Sequence, residues 1–315
     1  MNLKKQTLTV VCPVFNESEV IEIFYNSLTK VLDDISSEFS SKILFVVDKS
    51  SDDSFEKINL LASKDKRVQI LGLSSRFGHQ MSLVAGIDHA DSDVLIMMDS
   101  DLQHPPSLIP ILIEHYKKGY EVVFTIRKEP KDSSFIKRGG SRLFYKVMSW
   151  LAEVPLSSGQ ADYRLISRNV ADVFKYQIRE RNQFLRGLFS WVGFQKIGVE
   201  FYPDERKHGV SKYSFSRMYK FAFQGLTSFS KKPLQYAIFL GIALSIFAFV
   251  QICFVLIQYF YSDEVVSGFS TLAILISLFG GIQLFFLGII GEYIGSIFDE
   301  VKGRPLYIVE KKVNL

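Results

Sequence analysis

Asp99-Ser100-Asp101 sets two carboxylates at i and i+2 just beyond the apolar run Asp93-Val94-Leu95-Ile96-Met97-Met98. The run reads as a buried strand, and side chains two residues apart beyond its end can point the same way. Paired hard oxygen ligands suit Mg²⁺ or Mn²⁺ carrying a diphosphate. The following Leu102-Gln103-His104-Pro105-Pro106 stops the strand and opens a helix. The competing reading is a solvated turn whose acids cap that helix, because Asp-x-Asp is short and common.

The elements that must position these acids alternate in type. Strands are expected over Thr7 to Phe15, Lys42 to Val47, Val68 to Leu73, Val94 to Met98 and Glu121 to Ile126. Helices are expected over Glu17 to Ile35, Asp53 to Ser63, Gln80 to Asp88 and Ser107 to Lys118. That order implies an α/β layer structure with right-handed crossovers and a mostly parallel, Rossmann-like sheet. Ligands of such sheets sit beyond the carboxyl ends of the strands. Pro13-Val14-Phe15-Asn16-Glu17, Asp48, Asp99-Ser100-Asp101 and Arg127 all fall there. Their shared placement favours a binding site over four unrelated turns.

The chain has 315 residues, 48% of them hydrophobic, and a mean hydropathy of +0.15. The excess lies near the C-terminus. Leu234 to Tyr261 contains no Lys, Arg, Asp or Glu, and Thr271 to Phe298 is interrupted only by Glu292. Each run is long enough to cross a hydrocarbon core of about 30 Å. The loop between them holds Asp263 and Glu264, whereas Lys231, Lys232, Lys302, Arg304, Lys311 and Lys312 flank the pair. The positive-inside rule puts both termini in the cytoplasm. A buried hairpin in a soluble core is the alternative.

Phe215, Tyr219, Phe223 and Leu226 recur at helical spacing among Lys212, Arg217 and Lys220, which suits a helix in the lipid interface. Phe184 to Phe194 fits either such a helix or core packing. The expected division is therefore a catalytic domain over 1–212, an interfacial helix over 213–232, a two-helix membrane domain over 233–298 and a tail over 299–315. Gly280, Gly281, Gly288, Gly291 and Gly295 permit close helix packing and a homo-oligomer. A net charge of +4 gives no reason to expect nucleic acid. Cys12 and Cys253 lie far apart in apolar runs and form no disulfide framework. The five histidines show no zinc spacing and read as surface or supporting residues.

Together these motifs resemble family 2 glycosyltransferases with a GT-A fold. Arg206-Lys207-His208-Gly209-Val210-Ser211-Lys212-Tyr213 and the two apolar runs narrow the resemblance to polyprenyl-phosphate glycosyltransferases. It is nearest to the bacterial GtrB-like bactoprenol glucosyltransferases. One segment departs from the pattern: where the family shows Asp-Asp-Gly-Ser, this chain has Val47-Asp48-Lys49-Ser50. Only Asp48 remains to accept from a base, and Lys49 is expected to reach a phosphate or point to water.

The resemblance implies a nucleotide-sugar donor, UDP-glucose, and a polyprenyl phosphate acceptor in the bilayer of a bacterial inner membrane. The product would serve later glycosylation of cell-envelope glycans. Asp99, Asp101 and Gln103 would hold Mg²⁺ or Mn²⁺. Pro13, Phe15, Glu17, Asp48, Asp99 and Ser100 would line the donor site, with Arg206 and Lys212 clamping its diphosphate. Arg127, Arg138 and Ser141 would hold the acceptor phosphate. A lipid phosphate is already an oxyanion, since the second pKa of a phosphate ester is about 6. Asp162, grouped with Asp101 and Arg127 as catalytic, would therefore orient an arginine or the sugar hydroxyls. Single displacement implies inversion.

The alternatives are a mannosyltransferase using GDP-mannose, a non-catalytic flippase partner or scaffold, and a processive synthase. The synthase is disfavoured because Gln183-Phe184-Leu185-Arg186-Gly187 lacks the tryptophan of the Gln-x-x-Arg-Trp motif.

Overall fold

The computed structural model describes residues 5–128, 159–202, 230–261 and 268–315. Near-continuous apolar runs form β1 (Gln6–Val14), β2 (Phe39–Asp48), β3 (Val68–Leu73), β4 (Val94–Met97) and β5 (Val122–Arg127). β3 and β4 are buried throughout, as strands covered on both faces must be. The helices α1 (Ile21–Asp34), α2 (Ser54–Lys64), α3 (His79–His89) and α4 (Ile109–Lys117) connect them. α1 begins at Ile21 rather than Glu17 because the Glu17 carbonyl accepts the Val20 and Ile21 N–H groups in a preceding turn.

Three further strands complete the sheet: β6 (Gln160–Ser167), β7 (Lys196–Phe201) and β8 (Val309–Val313). The helices α5 (Arg168–Tyr176) and α6 (Leu185–Trp191) lie between β6 and β7. The strand order is β7-β5-β6-β4-β1-β2-β3-β8. β1–β2, β1–β4, β2–β3 and β5–β7 pair in parallel. β6 runs against β4 and β5, and β8 against β3. The sheet is mostly parallel, as expected, with β6 and β8 as its antiparallel members.

Helices cover both faces. Leu8, Val10, Cys12 and Val14 of β1 join Phe24, Leu28 and Leu32 of α1 in one core, while Val11 joins Leu83, Val84 and Ile87 of α3 in the other. The alternation follows the strand period of two. α6 packs into the second core through Leu185, Leu188 and Phe189, which decides the Phe184 to Phe194 segment in favour of core packing. Both cysteines are free.

α3 approaches β1 closely at Gly86, where an added Cβ would stand 2.1 Å from Val11 Cγ1. Gly86→Ala is therefore expected to destabilise the protein by about 1–3 kcal/mol through overpacking. A lowered denaturation midpoint checks this, and an unchanged midpoint contradicts it.

The apolar helices α7 (Lys232–Tyr261) and α8 (Phe269–Val301) have 30 and 33 residues, or about 45 and 50 Å at 1.5 Å per residue. Their most apolar stretches, Lys232–Gln251 and Leu278–Val301, are long and apolar enough to cross a membrane and are not covered by protein. Phe239, Phe249, Leu284 and Phe285 are 66–71% exposed. A hairpin buried in a soluble core would hide such side chains, so that alternative does not hold.

After α8 the chain returns to the sheet. β8 pairs with β3, and Asn314 Nδ2 donates to the Ala62 and Val68 carbonyls at 3.0 and 2.9 Å. Residues 299–315, expected to be a tail, thus supply an edge strand. The chain leaves the sheet from β7 at one edge and comes back as β8 at the other.

Candidate active site

β4, β1 and β2 lie side by side and point the same way. Their carboxyl ends bring the segments of Asp99, Phe15 and Asp48 to one edge. The two acids are not set by strand pleat, because β4 ends at Met97. A turn sets them instead. Leu102 adopts φ 64°, the Gln103 N–H donates to Asp101 Oδ1 at 3.1 Å, and Ser100 Oγ donates to the Pro13 carbonyl at 3.1 Å.

Asp99 is held from two directions. Its Oδ1 lies 2.7 Å from His79 Nε2 in the first turn of α3. Its backbone N–H donates to His104 Nδ1 at 2.9 Å. That bond requires an unprotonated Nδ1, so the 3.6 Å approach of His104 Nδ1 to Asp99 Oδ2 is not an ion pair. His104 stacks on Tyr163 with ring centroids 5.1 Å apart, and Tyr163 Oη donates to the Pro105 carbonyl at 3.1 Å. Burial lowers the His79 pKa, but the neighbouring Asp99 carboxylate outweighs it and raises the value to about 9.

Arg127 ends β5, and its Nη1 donates to Gln103 Oε1 at 3.0 Å. Its backbone N–H donates to the Gly159 carbonyl at 2.8 Å. Gly159 has φ +81°, and a Cβ there would fall 2.6 Å from the Arg127 carbonyl oxygen. Only glycine permits that approach.

Asp48 is buried, and its two oxygens accept the Phe77 and Gly78 N–H groups at 2.7 and 2.8 Å. It therefore fixes the loop that delivers His79. Lys49 takes φ 35°, where a glycine carries no Cβ penalty. Its Nζ pairs with Glu310 Oε2 of β8 at 3.2 Å. Phe15 lies under Arg76, with Cζ 4.0 Å from the ring centroid. The Glu17 N–H donates to Ser54 Oγ at 2.9 Å. Asp52 accepts the Ser18 and Ser54 N–H groups at 3.0 and 3.1 Å and ties the loops after β1 and β2 together.

Asp162, on β6, is 8% exposed. Its oxygens accept Arg186 Nε at 2.9 Å and Nη2 at 2.8 Å, and Arg164 Nη2 lies 3.3 Å from Oδ1. Burial raises its pKa, but Arg186 outweighs burial and holds the carboxyl far below the usual carboxylate range. Such a carboxylate has almost no basicity at neutral pH. Its geometry suits orienting an arginine.

The structure thus brings together Asp99, Asp101, Gln103 and Arg127, with Pro13 and Asp48 at the carboxyl ends of β1 and β2 and Phe15 and Ser100 on the loops beyond the strands. His79 and Arg186 were not assigned to the site from sequence, since their partners lie 20 and 24 residues away. The Gln183-x-x-Arg186 spacing was the one available signal. Arg138, Ser141, Arg206, Lys212 and most of the expected interfacial helix lie outside the described residues.

The donor set fits a hard divalent cation, since two carboxylates and an amide offer only oxygen. Among the described residues, no three His, Cys, Asp or Glu side chains converge to enclose a metal. A partial oxygen shell completed by phosphate and water is the usual arrangement for Mg²⁺ at phosphate sites.

Residues 9–176 match the family described as glycosyl transferase family 2. The chain is a family 2 glycosyltransferase. This glycosyltransferase is 41% identical over 307 residues to the uncharacterized glycosyltransferase YkcC of Bacillus subtilis (strain 168), covering 98% of this chain and 94% of that one. It is 36% identical over 304 residues to the bactoprenol glucosyl transferase of Shigella phage SfII, covering 96% and 97% of the two chains. Its fold resembles that of the mannosyltransferase PcManGT from Pyrobaculum calidifontis, solved with GDP-Man and Mn²⁺. That likeness has a TM-score of 0.51 at 15% identity and covers 74% of this chain and 65% of the other. The glycosyltransferase has the GT-A-like α/β sheet that its motifs imply.

Proposed function

We propose that this glycosyltransferase moves glucose from UDP-glucose to a polyprenyl phosphate at the cytoplasmic face of a bacterial inner membrane. One juxtaposition carries the proposal: the edge bearing Asp99, Asp101, Gln103 and Arg127 belongs to a sheet whose two edge strands lead into and out of an exposed apolar hairpin. The relatives named bactoprenol glucosyl transferase, 34–36% identical over nearly the whole chain, support the same acceptor class.

In this reading α7 and α8 span the bilayer. Both ends of the hairpin then lie on one side, and the basic flanks make that side cytoplasmic. Asp99, Asp101 and Gln103 would hold Mg²⁺ or Mn²⁺, which when bound supplies Lewis-acid neutralisation of a diphosphate leaving group. Arg127 holds Gln103 in place and adds positive charge where phosphates meet. A lipid phosphate oxygen attacks the anomeric carbon, the bond from that carbon to the donor phosphate oxygen breaks, and UDP leaves with the electron pair. The nucleophile is already anionic, so no side chain has to take its proton. The ion-paired state of Asp162 fits that requirement. A single displacement converts an α-linked donor into a β-linked lipid phosphosugar. Arg138, Ser141, Arg206 and Lys212 are the further phosphate ligands in this proposal.

Offering the purified full chain labelled UDP-glucose, UDP-galactose and GDP-mannose in turn, with Mn²⁺ and undecaprenyl phosphate, tests the donor. UDP-glucose is expected to give the fastest transfer. Transfer from GDP-mannose alone would overturn the sugar assignment, and transfer from none would favour a non-catalytic scaffold.

A further inference from the structure

The loop between β3 and α3 crosses the carboxyl edge of the sheet. β2 and β1 separate β3 from β4, yet His79, the first residue after the loop, stands 2.7 Å from Asp99 beyond β4. The loop is held along the way. The Ser74 N–H donates to the Ile308 carbonyl at 2.9 Å, next to β8. Arg76 Cζ lies 4.0 Å from the ring centroid of Phe15, just past β1. The Phe77 and Gly78 N–H groups donate to the two oxygens of Asp48, the last residue of β2, at 2.7 and 2.8 Å.

The two bonds to Asp48 are charge-assisted and immediately precede His79. The Gly78 carbonyl in turn accepts the Ser82 N–H at 3.0 Å, so the residue that Asp48 holds also opens α3. Asp48 thereby sets where α3 starts and where the His79 ring stands. That ring meets Asp99 Oδ1, and a hydrogen bond to a ligating carboxylate fixes its orientation toward a metal.

Asp48 is the one carboxylate that the family pattern leaves to accept from a base. Its surroundings assign it another task. The residue is 3% exposed, and each oxygen is already bonded to a backbone N–H. His79 lies on the open side instead, with its side chain 41% exposed.

We propose that Asp48 is a positioning residue for the metal site: through Phe77 and Gly78 it holds His79 on Asp99, and its carboxylate does not read the donor base. The proposal rests on Asp99 as a metal ligand and on a nucleoside diphosphate leaving group.

The test uses the full chain in detergent with the variants Asp48→Asn, His79→Ala and the two combined. Mn²⁺ affinity in the presence of UDP is read from free Mn²⁺ by EPR. UDP and CDP affinities are compared with Mn²⁺ present, and thermal midpoints are recorded. Asparagine has a single acceptor oxygen, so one of the two N–H groups loses its partner. Asp48→Asn and His79→Ala are each expected to weaken Mn²⁺ binding about tenfold. The two losses are expected not to add: in the His79→Ala background, Asp48→Asn weakens Mn²⁺ by at most about twofold more. The ratio of UDP to CDP affinity is expected to stay within about twofold of the wild-type ratio in Asp48→Asn. A carboxylate that accepts the uracil N3–H would separate the two bases, because cytosine carries no hydrogen at N3.

A UDP-to-CDP ratio that collapses in Asp48→Asn would return the carboxylate to the base and overturn the proposal. Unchanged Mn²⁺ affinity in folded His79→Ala would overturn it too, even if Asp48→Asn did not fold. Losses that add in the double variant, with a lowered midpoint, would show a structural role and have the same result. A wild-type chain that holds no Mn²⁺ with UDP would remove the metal site itself and this role with it. Mn²⁺ and nucleotide binding that behave as expected, without sugar transfer to a lipid phosphate, would leave Asp48 assigned and remove the glucosyltransferase reading.

Discussion

Asp101→Asn is expected to lower transfer from UDP-glucose by about a thousandfold or more while leaving the fold intact. The fold should tolerate the change because the structural duty of Asp101 is small. Its Oδ1 accepts one backbone N–H, from Gln103 at 3.1 Å, and an asparagine oxygen can accept the same bond. What disappears is a negative charge at an all-oxygen cation site. Metal neutralisation of a leaving group is worth several kcal/mol in the transition state, and each 1.36 kcal/mol is a factor of ten in rate. About 4 kcal/mol therefore gives the stated loss. EDTA should reduce the wild-type enzyme similarly, with recovery on adding Mn²⁺ or Mg²⁺. Initial rates and unfolding midpoints of the two proteins provide the check. A fully active Asp101→Asn enzyme would remove the metal from the proposed mechanism.

Asp162→Ala is expected to lower stability by about 3–5 kcal/mol, the usual consequence of breaking a buried ion pair from one side. Arg164 is 1% exposed, and its Nη1 has no hydrogen-bond partner among the described residues. Without Asp162 its charge would remain in the interior uncompensated. Denaturant titration of the solubilised chain measures the loss. The sign of the pH dependence follows from the same pairing. The folded carboxyl is held far below the unfolded value of about 3.9. The contribution of Asp162 is therefore fully present above that pH and declines as the pH falls below it. An Asp162→Ala chain as stable as the wild type but unable to transfer would assign Asp162 to the substrate, not to the ion-pair network.

The sequence revealed the sheet where strands are wholly apolar and hid it where they are not. β1 to β5 are runs such as Val94-Leu95-Ile96-Met97, and parallel strands buried on both faces must look like this. β6 escaped notice as a strand because Gln160, Asp162 and Arg164 interrupt it, although all three are buried. The buried carboxylate of Asp162 is paired by Arg186, 24 residues later. β8 reads as a charged terminus because Glu310, Lys311 and Lys312 lie on an exposed edge. The residue types of Asp99, Asp101, Gln103 and Arg127 suggested shared chemistry, and they meet at one edge. His79 gave no local signal and Arg186 only the Gln183-x-x-Arg186 spacing, since a histidine or arginine acquires its role from a partner that only the fold supplies. Lys49 shows the same limit: its partner Glu310 is 261 residues away.

The central claim is that a lipid phosphate displaces UDP from glucose in one step. Its most direct test is the structure of the product. Purified full chain, Mn²⁺, UDP-glucose and undecaprenyl phosphate are incubated, and the lipid fraction is analysed by mass spectrometry and by NMR of the anomeric proton. The expected product carries one hexose on the lipid phosphate, β-linked, formed in equal amount to the UDP released. An α-linked product, or UDP release without a glycosylated lipid, would contradict it.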